Sequence, residues 1–463
     1  MNYSLPSREL IADSFETICQ AHHYDALISI PGCDKNLPGV SMAMFRLNRP
    51  GLIIYGGSMP PSNYKDRELD IVSAFEAYGE LLNNKIDKGE YNDVIQNACN
   101  RKCGSCSGLY TANTMAAILE VMGLTLPNSS SNPSQSNEKR QESNSSGGYI
   151  RKLLYHDIKP LDIVTHTSFK NAISLLYIMG GSTNAIIHLL SMAKTANIDL
   201  SLDDFNELGH LPVLLNMKPH GSHMMYHLHE NGGMSMLIRY LIVNNIIDGS
   251  ALTVTGNTLD ENTSHINLDD INTDIIYPLE TPFKSSSHIS ILKGNLAPNG
   301  CITKISSDTK SFNGLAKVYN SQDEMIKSLE NGEINEQHFI IIRYQGETVG
   351  CPEMLKPTSA LAGYFGIGNT PPLATDGRFS GGSHGILVCH LPDAYKHDNL
   401  TSIIRDGDEI TMDLSVNKLS LDISVNEIAT RKVAYNKKKP ELSGYLRKFS
   451  NSVGEIDTGY LCK

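Results

Sequence analysis

The chain is 463 residues long, with 40% hydrophobic and 19% charged residues and a formal net charge of −11. That is the composition of an ordinary folded protein, at a length that exceeds one compact core, so two domains are expected. The acidic balance excludes the basic face of a nucleic-acid binder. No apolar run of about 18 residues marks a membrane span.

The opening residues, MNYSLPSRELIADSFETI, lack the basic and apolar regions of a secretory signal. They read as the start of a helix that Pro6 and Ser7 open, with Leu10, Ile11, Phe15 and Ile18 on one face. A chain that opens inside a helix predicts that more of the fold precedes Met1. Residues 1–125 alternate helical patterns with the apolar runs ALISI (26–30) and GLIIYGG (51–57), each followed by a turn. This texture predicts an α/β domain with a largely parallel sheet. Residues 128–148, rich in Ser and Asn, predict a loop or partly disordered excursion. Helical periodicity returns at 168–196 and 222–246.

From about 251 the texture changes to short β-rich runs. ALTVTG, HISILKG, GCITKIS, GLAKVY, HFIIIRYQG, PLATDG, GILVCH, DEITMDL and KLSLDI are separated by turn signals. Such spacing predicts an antiparallel or barrel-like domain. The expected organisation is an α/β domain over 1–270, a polar linker over 271–289, a β-barrel-like domain over 290–435 and a tail over 436–463.

Nine cysteines are present. Without a secretion signal the expected compartment is a reducing one, where clustered cysteines are metal ligands more often than disulfides. That means the cytoplasm, or an organelle if a targeting segment precedes Met1. Cys19, Cys301 and Cys389 read as small buried hydrophobes.

Three stretches carry chemistry. IPGCDKNLPG (30–39) follows an apolar strand, so Cys33, Asp34 and Lys35 fall on a loop at a strand's C-terminal end, where open α/β sheets place ligands. A thiolate suits a soft iron centre and a carboxylate a hard ion, but a turn with a surface Asp–Lys pair fits the residues equally well. ACNRKCGSCSGLYTANTM (98–115) holds Cys99, Cys103 and Cys106. Its CxxC is compatible with zinc, a redox dithiol or an iron–sulfur site, and the missing second ligand pair weighs against structural zinc. CPEML (351–355) and TDGRFSGGSHG (375–385) offer Glu353, Ser380 and two glycines, Gly381 and Gly382, whose N–H groups could wrap an anion. GRFSGG is not a hydrolase nucleophile elbow. The run Gly180, Gly181, Ser182, Thr183, Asn184 reads either as tight helix packing or as a substrate cradle.

GCDKNLPG, SCSGLYTANTM, SSSNP (129–133), GGSTNA (180–185), PEMLKPTSA and TDGRFSGGSHG occur in this order. Together they closely resemble the dihydroxy-acid dehydratase family, from Tyr3 to about Arg431. Sugar-acid and phosphogluconate dehydratases share the CDK and Gly-rich elements, whereas the YTANTM and GRFSGGSHG wording is similar to the dihydroxy-acid branch.

The resemblance implies an iron–sulfur cluster held by Cys33 and Cys106, with 2Fe–2S favoured over 4Fe–4S. It implies Mg²⁺ held by Asp34, Glu353 and Lys35 as its carbamate, with Ser380 as the general base. Gly181, Ser182, Thr183, Asn184, Gly381 and Gly382 would cradle a small dihydroxy-acid substrate. The implied assembly is a homodimer, without nucleic acid or membrane, and the implied reaction is dehydration of 2,3-dihydroxy-3-methyl carboxylates to 2-oxo acids in branched-chain amino-acid biosynthesis. Cys99 and Cys103 do not match family ligands. The family's third cluster cysteine and a further Mg²⁺-binding Asp fall in a segment that would precede Met1. The Cys99–Cys106 loop carries one extra residue, and the Gly-rich run before Pro352 is shortened to VGC. Other readings of the same pattern are an inactive paralogue or partner subunit, and a sugar-acid dehydratase.

Overall fold

The computed structural model describes all residues except 100–102, 307–309, 367, 397–398 and 437–438. It divides into two compact units. The first comprises Ser7–Asp70 and Cys99–Ser287, and the second Met1–Pro6, Ile71–Ala98 and His288–Lys463. The change at Ser287–His288 falls inside the stretch read as a linker.

The first unit is mainly helical around a small parallel sheet. Strands β1 (Leu27–Ser29) and β2 (Gly51–Ile53) pair in parallel, and Ile53 bridges Thr125 in the same sense. β2 is buried throughout, so both of its faces are apolar, as a sheet covered on both sides requires. A short antiparallel hairpin, β3 (Ser62–Tyr64) and β4 (Arg67–Leu69), sits beside it in sequence. The central helices Thr111–Val121, His166–Ile178 and Asn184–Thr195 are buried along almost their whole length.

Three expectations are corrected in this unit. The helix Ser4–His22 forms, but Leu10 and Ile18 are exposed at 46% and 53%. Its buried side carries Arg8 and Glu9, ion-paired at 2.7 Å, with Arg8 also 3.2 Å from His188 Nδ1. A buried charge pair needs protein partners more than Leu10 needs burial, so the pair sets the rotation. The Ser/Asn-rich stretch is no loop over most of its length: Asn137–His156 is a helix. Ser136 caps it by accepting from Lys139 N, and inside it Lys139 pairs with Glu142 at 2.7 Å. ALTVTG is not a strand; it runs through turns, with Leu252 bridging Thr258.

The second unit is a closed eight-stranded barrel. Its strands are β5 (Ile289–Gly294), β6 (Ala297–Ile305), β7 (Ser311–Tyr319), β8 (His338–Ile342), β10 (Leu373–Thr375), β12 (Ile386–Cys389), β13 (Glu409–Asp413) and β14 (Lys418–Leu421). They close in the order β10-β12-β6-β5-β14-β13-β7-β8, with parallel and antiparallel pairs mixed. Leu292, Cys301, Phe339, Ile341, Val388 and Met412 contribute to the filled interior. Two further strands of two residues, β9 (Glu353–Met354) and β11 (Arg378–Phe379), pair in parallel outside the barrel. The helix Ile71–Leu82 packs against helix Lys356–Phe365. The segment read as a tail forms the helix Gly444–Ser452 and buries Phe449 and Tyr460.

Candidate functional site

In the first unit the loop after β1 places Cys33, Asp34 and Lys35 just before the helix Asn36–Leu47. Cys33 is exposed, Asp34 half-buried and Lys35 buried. The Lys35 amine donates to the Asp34 carboxylate, and the Cys33 thiol reaches the other oxygen at 3.4 Å. A second loop lies against the first, because the Ser105 hydroxyl donates to the Gly32 carbonyl. Backbone bonds between Ser105 N and Gly57 O (2.9 Å) and between Met59 N and Ser105 O (2.8 Å) fix that loop beside the end of β2. Asn113, from the following helix, donates to the carbonyls of Cys106 and Gly108, both at 2.6 Å. Asn113 Oδ1 in turn accepts from the buried Tyr55 hydroxyl at 2.8 Å.

The thiols of Cys33 and Cys106 are therefore neighbours in one electrostatic environment. Cys33, hemmed by protein though open to solvent, is pushed up to about 11, first by desolvation and then by the Asp34 charge. Cys106 is pushed up to about 12 by burial, then by Cys33 and Cys99. Burial and the Asp70 carboxylate also raise Cys99. Such thiols stay protonated until a cation displaces the proton. Residues 100–102 of the ACNRKCGSC run lie outside the described residues. Among the described residues, no three His, Cys, Asp or Glu side chains converge to hold a metal ion. The donor chemistry of Cys33 and Cys106 fits a soft iron centre, and that of Asp34 a hard ion. Two thiols on adjoining loops would be part of the ligand set such a centre needs.

The run Gly181–Asn184 is wholly buried between two helices. Its polar atoms are engaged internally: Ser182 Oγ with Thr111 Oγ1 at 2.8 Å, and Asn184 Nδ2 with the same Thr111 oxygen at 3.1 Å. This ties the run to the start of the helix that follows Cys106.

In the second unit, β9 and β11 bring Glu353 opposite Arg378, and Ser380 N donates to Met354 O at 3.0 Å. Arg378 is fully buried and spans the region. Its guanidinium pairs with Glu353 at 2.7 Å, and it donates to the Cys351 carbonyl at 2.8 Å and to Ser4 Oγ at 3.1 Å. Cys351, in the VGC run, is buried with its sulfur 4.0 Å from His390 Nδ1. Ser380 begins a tight turn in which Ser383 N donates to Ser380 O at 3.1 Å and Gly382 N points at Ser380 Oγ at 3.5 Å. Gly381 and Gly382 are buried in that turn, and Ser383 Oγ meets Thr358 Oγ1 at 2.8 Å. Asp376 anchors its base, accepting from Tyr344 N, Gln345 N and Ala394 N. A separate hollow of 420 Å³ in this unit, lined in part by Glu347, His390, Lys396 and Tyr460, contains none of the residues singled out by sequence.

Arg378, Asn113 and Tyr55 were not singled out by sequence. Arg378 had a signal, since it stands within TDGRFSGG two residues before Ser380; Tyr55 had none beyond the apolar run GLIIYGG.

Residues 1–262 match the N-terminal domain and residues 274–460 the C-terminal domain described as dihydroxy-acid/6-phosphogluconate dehydratase. The chain belongs to this family. It is 46% identical to the dihydroxy-acid dehydratase of Francisella tularensis subsp. novicida, across 99% of this chain and 82% of that one. It is 45% identical to the dihydroxy-acid dehydratase of Flavobacterium psychrophilum, across 99% and 83%. It is 44% identical to the mitochondrial dihydroxy-acid dehydratase astD of Aspergillus terreus, across 99% and 78%. No helix among the described residues is long and apolar enough to cross a membrane.

Proposed function

We propose that this chain is a hydro-lyase that removes water from 2,3-dihydroxy-3-methyl carboxylates to give 2-oxo acids, a step of branched-chain amino-acid biosynthesis. The observation that carries this reading is the 46% identity to a dihydroxy-acid dehydratase over 99% of the chain.

Ser380 is assigned the C2 proton. As the C2–H bond breaks its electron pair forms the C2–C3 double bond, the C3 hydroxyl departs as water after taking up a proton, and the enol tautomerises to the 2-oxo acid. An unaided serine hydroxyl stays protonated near neutral pH, so its ionisation needs positive charge or N–H donors nearby. The Gly382 N–H aimed at Ser380 Oγ is one such donor. Cys33 and Cys106 are assigned to an iron–sulfur cluster, with 2Fe–2S favoured over 4Fe–4S. Asp34, Glu353 and Lys35 as its carbamate are assigned to Mg²⁺. When bound, these groups supply Lewis acidity toward the hydroxyl and carboxylate oxygens of the substrate. Carbamylation of Lys35 would replace an ammonium by oxygens suited to a hard cation. Gly381 and Gly382 are assigned the stronger part of the substrate cradle. The Gly181–Asn184 run, already bonded to Thr111, would act mainly by supporting the helix beside Cys106. A homodimer is the assembly we assign, in the cytoplasm or an organelle.

The test is turnover after anaerobic purification with iron, sulfide and Mg²⁺, followed as 2-oxo acid formation. 2,3-Dihydroxy-3-methylbutanoate should be consumed in preference to gluconate and 6-phosphogluconate. Preference for the sugar acids would overturn the reading in favour of the other branch of the family.

A further inference from the structure

Lys304 lies on β6, in the run GCITKIS. Its neighbours Cys301 and Ile305 face the barrel interior, so the alternation of a strand turns Lys304 outward. It is nevertheless 2% exposed, and among the described residues its amine has one partner, the carbonyl of Gly381 at 3.1 Å. No carboxylate pairs with it among the described residues. Burying an amine on a single hydrogen bond is unfavourable, and a methionine would fill the same volume without that penalty. Desolvation shows in the ammonium itself, which burial brings down to about 7.

The placement of that one bond is informative. The carbonyl of Gly381 and the N–H of Gly382 belong to one planar peptide and point to opposite sides of it. Lys304 holds the carbonyl on one side; on the other, the Gly382 N–H is directed at Ser380 Oγ, 3.5 Å away. The Ser383 N to Ser380 O bond closes the turn, but with no side chain at 381 or 382 it does not by itself fix which way the central peptide faces. A hydrogen bond accepted by the carbonyl also polarises the amide and strengthens its N–H as a donor.

We propose that Lys304 is a positioning residue for Ser380, acting through the Gly381–Gly382 peptide to aim an N–H at the serine oxygen. The proposal rests on the reading of Ser380 as the proton acceptor. Lys304 touches neither substrate nor the reacting atoms, and its amine donates to the carbonyl whether or not it carries a charge.

Two variants separate positioning from simple filling. Lys304→Met keeps the volume and removes the donor; Lys304→Gln keeps a donor. Amide hydrogen exchange over residues 380–385 reads the clamp without needing turnover. Lys304→Met should lose protection there while the melting temperature holds or rises, and Lys304→Gln should recover part of the protection. In turnover assays Lys304→Met should lower kcat by roughly 10-fold to 100-fold with KM little changed, the scale of a misplaced catalytic donor. Unchanged protection and kcat in Lys304→Met would overturn the proposal. So would a fall in melting temperature matching the fall in activity, with Lys304→Gln no better, which would mark the lysine as merely structural. Ser380→Ala run in parallel keeps the two ideas apart. If it retains kcat, the Ser380 reading fails and the proposal falls with it. If it is inactive while Lys304→Met is normal, only the proposal fails. Full additivity of the two substitutions would show that Lys304 acts independently of Ser380 and would also overturn it.

Discussion

The two units hold their candidate residues in opposite ways. In the helical unit Cys33 and Cys106 sit on loops, Cys33 exposed and Cys106 half-buried, and the loops are braced by bonds of Ser105 to Gly32, Gly57 and Met59; among the described residues the Cys33 sulfur reaches Asp34 at 3.4 Å. In the barrel unit Glu353 sits on β9 and Ser380 directly follows the paired strand β11, with a buried arginine bonded to Glu353 and a buried lysine bonded to the carbonyl of Gly381. On the metal assignment proposed above, the first set would be organised by an ion; the second is already held by side chains of the protein. Site geometry held by rigid strands and a supporting shell is set before any ligand arrives. Geometry on loops is completed when ligands bind, and the binding energy then contributes to folding.

The largest effect should come from the pre-organised half. Ser380→Ala should lower kcat by about 10²–10⁴-fold, the usual range for a positioned proton acceptor. Iron content and KM should change little, because the serine is given no binding role. A variant that keeps most of its kcat would remove Ser380 from the reaction and make Ser383 the next residue to test.

The same contrast predicts how each half responds when no metal is bound. Arg378→Leu removes the ion-pair partner of Glu353 at 2.7 Å and the donor to the Cys351 carbonyl, and breaking a buried ion pair from one side costs about 3–5 kcal/mol. Urea unfolding should report that loss, with Arg378→Lys intermediate because a lysine cannot span three partners. Cys33→Ser in metal-free protein should stay within about 0.5 kcal/mol of the parent, as a solvent-exposed loop thiol should. If the two substitutions cost the same, the distinction between organised and waiting halves is wrong.

The sequence disclosed these halves unevenly. All eight barrel strands stood out, because each is a short apolar or alternating run between turn signals. β9 and β11 did not, since two residues carry no periodicity, although they place Glu353 and Ser380. ALTVTG has the same texture as the barrel strands yet runs through turns, because composition cannot tell an extended run that finds a strand partner from one that does not. The thiol loops were legible from their unusual residue types, whereas the bonds that brace them, Ser105 to Gly32 and Asn113 to Cys106, were not, because a motif does not say which of its residues meet in space. Lys304 was hidden in plain view: alternation puts a lysine on the outer face of the strand, and nothing in the sequence shows that this one is buried against the Gly381 carbonyl. The helix face was misjudged at Leu10 and Ile18 because apolar periodicity cannot see that Arg8 and Glu9 satisfy each other inside.

The smallest effect concerns the stretch where composition misled most. Asn137–His156 is a 20-residue helix carrying adjacent glycines at 147 and 148. Both are exposed, and a Cβ added to either meets nothing within 4 Å. Glycine inside a helix is unfavourable relative to alanine by roughly 0.5–1 kcal/mol, through backbone freedom lost on folding. Gly147→Ala and Gly148→Ala should therefore each raise stability by about that amount, since no packing term opposes the gain. Gly57→Ala is the contrasting control. Its φ is +86°, and an added Cβ would lie 2.5 Å from Ser134 N and 2.7 Å from Asn132 O, backbone atoms that cannot yield. That substitution should destabilise by more than the helical pair stabilises. Denaturant midpoints at constant m-value decide the matter. Were the stretch a loop, alanine at 147 and 148 would leave the midpoint where it is; a rise for both, against a fall at 57, is what a formed and Ser136-capped helix requires.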